Sequence, residues 1–100
     1  MPRNLPVEPS GSTAIITVIG KDRVGIIAGV SALLAEASVN IMDISQTILQ
    51  NVFTMIMLVD LAQSTADIKT LADRLEQRGN ELGLSIRIQH SDIFNAMHRI

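Results

Sequence analysis

The ten residues Gly20-Lys21-Asp22-Arg23-Val24-Gly25-Ile26-Ile27-Ala28-Gly29 combine glycines, one acid and two bases at a spacing that could hold a small anion or zwitterion. Glycine lets the backbone come close to a ligand and take conformations closed to other residues. A β-branched run precedes the stretch and apolar residues at helical spacing follow it, so it reads as a strand turning into a helix. The first N–H groups of a helix have no intrahelical acceptor and can receive a carboxylate or phosphate. The candidate donors are the backbone groups at Gly25 and Ile26, with Asp22 to orient a ligand's polar groups. Lys21 and Arg23 flank Asp22 beside a helix end that favours negative charge, so a zwitterion would suit both signs. A purely structural reading stands beside this one: Gly20 makes the turn, and Gly25 and Gly29 let the helix pack closely.

Elsewhere the inventory for catalysis is poor, and no catalytic residue is assigned. The chain has no cysteine and no tyrosine, and its two histidines lie at the C-terminal end. Disulfides and thiolate metal sites are thereby excluded. There is no Gly-x-Ser-x-Gly turn for a nucleophile. His90 ends a strand-like segment in step with Leu84, Ile86 and Ile88 and reads as structural or partner-facing. A metal set of Asp22, Asp43 and His90 would need three distant segments to converge, unlike any local metal motif, so neither metal nor cofactor is expected. A formal net charge of -2 and only two aromatic residues, Phe53 and Phe94, argue against nucleic acid. The methionines read as adaptable core or interface fillers. The N-terminus has no apolar core like that of a signal peptide, and no apolar run approaches the roughly 20 residues of a membrane span. A cytoplasmic, membrane-free protein is the expectation.

The elements that must position the junction follow from periodicity. All three prolines fall in residues 1–13, read as a flexible leader, and a single domain is expected from 14 to 100. The spacing predicts a strand over 14–20 and a helix over 24–38 carrying Ile26, Ile27, Val30, Leu33, Leu34 and Ala37. Asn40 opens a second strand in which Met42, Ile44 and Ile48 alternate with Asp43, Ser45 and Thr47, with Gln46 breaking the apolar row. Gln50-Asn51 makes a hairpin turn, and 52–59 is apolar without alternation, as in a central strand. Ser64 is placed as the cap of a second helix, with Asp67 three residues on and Gly83 ending it. Leu84, Ile86 and Ile88 alternate with polar residues in an edge strand, and from about 91 a short C-terminal helix carries Ile93, Met97 and Ile100.

The order βαββαβ gives an α+β, ferredoxin-like sandwich, a four-stranded antiparallel sheet with both helices on one face. Two helices cover only one sheet face. Apolar residues drawn from Ile15, Ile19, Phe53, Met55, Met57 and Val59 would then be left uncovered, which points to a homo-oligomer, a dimer or larger.

Gly-Lys-Asp-Arg-Val-Gly-Ile, together with Asn40-Ile41 opening the second strand, resembles the ligand loop and strand start of the ACT domain, a small-molecule-binding regulatory module. The Asn-Ile-Met-Asp-Ile-Ser-Gln-Thr stretch and the Ile-Phe-Asn-Ala-Met tail are similar to those of single-ACT proteins of bacteria and archaea with no assigned function. The resemblance implies the βαββαβ fold, side-by-side or face-to-face dimers, and an amino acid bound at a subunit interface. Carried over position by position, Asp22 and Gly25 match its ligand loop, and Asn40 and Ile41 match the strand start that a neighbour would supply; with Arg23 and Ile26 from the reading of the junction, these are the six candidate ligand residues. A frequent proline before the glycine is Val24 here. The expectation is a non-enzymatic amino-acid sensor. Two alternatives stay open: an acylphosphatase-like hydrolase of the same topology using Arg23, whose wider loop signature is absent, and a structural oligomerisation module acting through a protein partner.

Overall fold

The computed structural model describes residues 12–92. Its elements run β1 (Thr13–Lys21), α1 (Ile26–Glu36), β2 (Asn40–Leu49), β3 (Val52–Asp60), α2 (Ile68–Leu82) and β4 (Leu84–His90). The strands form one antiparallel sheet in the order β2-β3-β1-β4. This is the ferredoxin-like sandwich that the element order implies, with β3 and β1 central and β2 and β4 at the edges.

Register decides which side of each strand meets the helices. Ile16 of β1 lies opposite Met57 and Ile88, and Val18 opposite Met55 and Ile86, so these residues share a face. Ala14, Ile16 and Val18 are fully buried there with Met55, Met57 and Val59, under Val30 and Leu34 of α1 and Leu71 and Leu75 of α2. Phe53, Met55, Met57 and Val59 therefore belong to the covered face, and the sequence reading that pooled them with the uncovered residues is corrected. The uncovered side of β3 carries Val52, Thr54, Ile56 and Leu58 instead. A strand that is apolar at every position has no internal parity signal, so only the pairing settles it.

α1 is shorter than the span 24–38 expected for it, and α2 begins at Ile68, later than a cap at Ser64 would place it. α1 starts at Ile26 because Gly25 stands before it at φ 96°, and it stops at Glu36 because Ser38 turns to φ 59°. The N–H groups of Ser38 and Val39 then close the end on Ala35 and Leu34. Ile27 is 42% exposed and does not join the core, contrary to the helical set. α2 is capped by Asp67, whose Oδ1 accepts from the Thr70 N–H at 2.8 Å. Ser64 is not the cap. Its hydroxyl bonds both backbone groups of Ala66 in a local turn, which takes it out of reach of the helix. Gly83 ends α2 at φ 74°, as expected.

β1 opens at Thr13, inside the segment read as leader. The Thr13 hydroxyl lies 2.6 Å from that of Ser91, and both residues are buried. Residues 1–11 and the tail positions Ile93, Met97, His98 and Ile100 lie outside the described residues. The β2–β3 hairpin turns through Gln50 and Asn51, both at positive φ, the conformation whose twist suits two-residue hairpins. In β2 a bulge between Ile41 and Asp43 makes Ile41, not Met42, the residue opposite Val59. The expected row of Met42, Ile44 and Ile48 is thus broken at its first member.

Candidate functional site

The β1–α1 loop is held by its backbone. The Asp22 N–H donates to the carbonyl of Asn51 at 2.7 Å, fixing the loop over the β2–β3 turn. Arg23 donates from Nε to the Val24 carbonyl at 3.3 Å, so the guanidinium lies along its own loop. Gly25 then takes φ 96° and ψ 1°, and its carbonyl accepts the first helical bond, from the Gly29 N–H at 2.9 Å. A Cβ added at Gly25 would meet nothing within 4 Å, so this glycine is required by conformation and borders open space. Gly20 has the opposite reason: a Cβ there would lie 2.5 Å from Leu84 Cδ2 and 3.0 Å from the Gly83 carbonyl. Gly29 faces α2, with Leu82 Cδ1 3.2 Å from where its Cβ would be. Gly20 thus lies within β1 and not in the turn expected of it, and is a glycine because it packs against Leu84; Gly29 packs close to α2 as the structural reading has it, and Gly25 packs against nothing.

No side chain caps α1. The N–H groups of Ile26, Ile27 and Ala28 precede the first intrahelical donor, Gly29, and are left for an outside acceptor. They border a cleft of about 240 Å³ whose walls are Asp22, Arg23 and Gly25 on one side and Gln46 and Ile48 of β2 on the other, with Phe53 among its lining. Gln46 and Ile48 lie opposite Met55 and Phe53, hence on the helix side of the sheet, where neither helix covers them. The cleft is largely apolar with one acid and one base at its mouth, which can take an apolar group while its polar end reaches the helix terminus. A larger groove of about 470 Å³ runs between mid-α2 and β4 past Glu76, Asn80 and Arg87. It carries no uncapped helix end.

Of the six ligand residues expected from sequence, Asp22, Arg23, Gly25 and Ile26 come together at this cleft. Asn40 and Ile41 do not. Asn40 pairs with Asp60, and Asp60 with Thr13 at the start of β1, whereas the loop follows the far end of that strand at Lys21. Eight residue steps of extended chain separate the two ends by roughly 26 Å, beyond the reach of one amino acid. Sequence reasoning missed Gln46, Ile48 and Phe53 as wall residues, although the polar Gln46 in an otherwise apolar row was a signal.

The remaining candidates are scattered. Asp43 lies on the uncovered sheet face, and His90 lies opposite Ala14, at the other end of β1 from Asp22. Among the described residues no cluster of three or more histidine, aspartate or glutamate side chains could hold a metal. His90 Nδ1 is buried and has no hydrogen-bond partner there. No described helix is long and apolar enough to cross a membrane.

Comparison with known proteins adds a family to this geometry. The ACT domain family matches residues 12–89. A UPF0237 protein of Clostridium acetobutylicum is 59% identical over 87 residues, 87% of this chain and 98% of the relative. A UPF0237 protein of Methanocaldococcus jannaschii is 54% identical over 89 residues, 89% of this chain and 99% of the relative. Among solved structures, an ACT domain protein from Streptococcus pneumoniae superposes with a TM-score of 0.75 at 45% identity, covering 89% of this chain and all of that one.

Proposed function

The chain belongs to the ACT domain family, and we propose that it serves as a non-enzymatic regulatory module that binds a free amino acid in the cleft beside Gly25. The observation that carries this reading is the uncapped start of α1 opening onto an apolar cleft, at a glycine whose missing Cβ leaves room. The ligand's carboxylate accepts from the N–H groups of Ile26 to Ala28, where the helix dipole also favours negative charge. Its ammonium donates to the Asp22 carboxylate as a charge-assisted bond. An aliphatic side chain lies against Ile48 and Phe53. Asn40 and Ile41 can join only from the second strand of a neighbouring subunit, so the full site belongs to a homo-oligomer. No pair of groups here is poised to activate a nucleophile, which favours sensing over hydrolysis.

The test is thermal unfolding of the full chain with each common amino acid. A ligand present at a hundredfold excess over its Kd stabilises the folded state by about 2.7 kcal/mol. Gly25→Asp puts a carboxylate where the ligand's own would lie and should abolish the shift, and Asp22→Asn should weaken it without changing the unliganded melting temperature. If no amino acid stabilises the wild type, the ligand class is wrong. If Gly25→Asp keeps the full shift, the site is wrong.

A further inference from the structure

The bonding pattern of the ladders decides which backbone groups the sheet leaves open at its two edges. In an antiparallel pair the residues that exchange bonds alternate. The Asp22 N–H bonds the Asn51 carbonyl and the Leu61 N–H bonds the Ser12 carbonyl, so the even residues of β1, from Ala14 to Gly20, turn their backbone groups to β3. Ile15, Thr17 and Ile19 turn theirs to Gln89, Arg87 and Ser85 of β4. Leu84, Ile86 and Ile88 therefore direct their N–H and C=O groups away from β1, and no strand among the described residues pairs with them.

The same alternation turns Ile44, Gln46 and Ile48 outward on β2, but that edge is interrupted. β2 bulges between Ile41 and Asp43, and the Asp43 carboxylate takes the Ile44 N–H at 2.9 Å. Bulges and local side-chain bonds of this kind close an edge to further strands. β4 has no bulge and no proline, and its residues pair with β1 in one unbroken register.

Beside the β4 edge lies the groove of about 470 Å³, walled by Ala72, Glu76 and Asn80 of α2 and floored by β4 from Leu84 to Gln89. Those six strand residues span roughly 20 Å, the length of a short extended peptide. Leu84, Ile86 and Ile88 share the helix side of the sheet, and Ser85, Arg87 and Gln89 the other. A fifth strand laid along β4 sends alternate side chains to the same two sides, one set toward Glu76 and the other beside Arg87. Both residues are exposed, and neither joins an ion pair among the described residues.

We infer that the β4 edge and this groove bind an extended segment of a partner protein as a fifth strand, with a basic residue directed to Glu76 and an acidic neighbour beside Arg87. Main-chain bonds to Ile86 and Ile88 supply the affinity, and the two charges fix the register. A second copy of this chain fits the edge poorly. α2 lies beside the groove, so a twofold pairing of β4 with β4 about the middle of the groove sets Arg87 opposite itself and brings Glu76 toward itself, and like charges in an interface cost binding. The inference goes beyond the amino-acid reading and is independent of it, because the groove shares no residue with the cleft at Gly25.

The test uses the full chain and a labelled, capped hexapeptide, Thr-Val-Lys-Glu-Val-Thr, followed by fluorescence anisotropy and by amide hydrogen exchange. Binding should saturate below about 1 mM peptide, and the Ile86 and Ile88 amides, fast to exchange alone, should become protected. N-methylation of one alternate set of peptide amides should abolish binding and that of the other set should leave it, because only one set faces β4. Glu76→Lys and Arg87→Glu, both at exposed positions, should each weaken binding about tenfold, and the double variant should prefer the peptide with its Lys and Glu exchanged. Absence of saturation at that concentration overturns the inference, as does equal tolerance of both methylated sets, which means binding without a fifth strand. Binding untouched by either charge reversal overturns the assigned partner chemistry. Ile86 and Ile88 amides that are protected without peptide, and more so at higher protein concentration, place a second copy on the edge and overturn the inference as well.

Discussion

Two glycine-to-alanine changes in helices should have opposite signs, and the reason can be read from distances. Gly79 lies inside α2 and is buried against β4. A Cβ there would sit 2.7 Å from the Leu84 carbonyl oxygen and 3.2 Å from Ile86 Cγ1. The nearer atom is backbone in a paired strand, so α2 must move off the sheet, and overpacking of this kind costs about 1–3 kcal/mol. Replacing a helical glycine by alanine returns about 0.8–1 kcal/mol. The clash outweighs the gain over most of that range, and Gly79→Ala should lose up to about 2 kcal/mol. At Gly29 the nearest atom is the end of a side chain, Leu82 Cδ1 at 3.2 Å, which can swing away. The propensity gain then survives, so Gly29→Ala should be neutral or up to about 1 kcal/mol more stable. Both changes restrict the unfolded chain alike, which removes that contribution from the comparison. Urea unfolding followed by circular dichroism at one protein concentration measures the difference. A Gly79→Ala protein as stable as Gly29→Ala would refute the close approach of α2 to β4.

Met55→Lys should unfold the domain at 25 °C, because Met55 is fully buried and an unpaired charge there costs several kcal/mol of a total of about 5–15; native circular dichroism would mean the helices do not cover it. The Asp67 carboxyl is held below its ordinary value of 3.8 by accepting from the Thr70 N–H, so folding favours its ionised form. The stability it adds is present above the ordinary value and is lost as pH falls through the lower folded one. Asp67→Asn keeps a capping oxygen but no titration, so urea midpoints from about pH 5 to 2 should fall less steeply than in the wild type, and equal slopes would dismiss the cap.

Element order and sheet topology were legible because each depends on a local signal repeated over many residues. The Gln50-Asn51 turn, the Gly83 stop and the polar alternation of β4 each carry their own conformational preference. What was not legible depends on partners distant in sequence. The face of β3 follows from pairing with Ile16 and Val18. The cap at Asp67 follows from a turn that engages Ser64 first. The bulge at Met42 accompanies a local competitor for the ladder, the Asp43 carboxylate bonding the adjacent Ile44 N–H at 2.9 Å, while the apolar pattern fits equally well without it. Half of the candidate site was visible, since Asp22 to Ile26 are contiguous. The opposite wall was hidden because Gln46 and Ile48 reach the cleft only when β2 is laid beside β3.

The cleft and the open sheet face have one physical origin. Among the described residues, two helices of 11 and 15 residues do not cover both sides of four strands. The helices cover the inner side of β1, β3 and the start of β4, where exposure falls to 7% or less, and leave β2 with Ile44 at 42% and Ile48 at 55%. That shortage of cover on the helix side becomes a cleft because Gly25 stops α1 short beside it. On the other side no described element packs over the sheet, so Ile19, Val52 and Ile56 remain exposed. A concave remnant suits a small ligand and a flat one suits another protein surface. Gly25 and Ile56 stand on opposite sides of one sheet, so a substitution at either leaves the surface at the other in place.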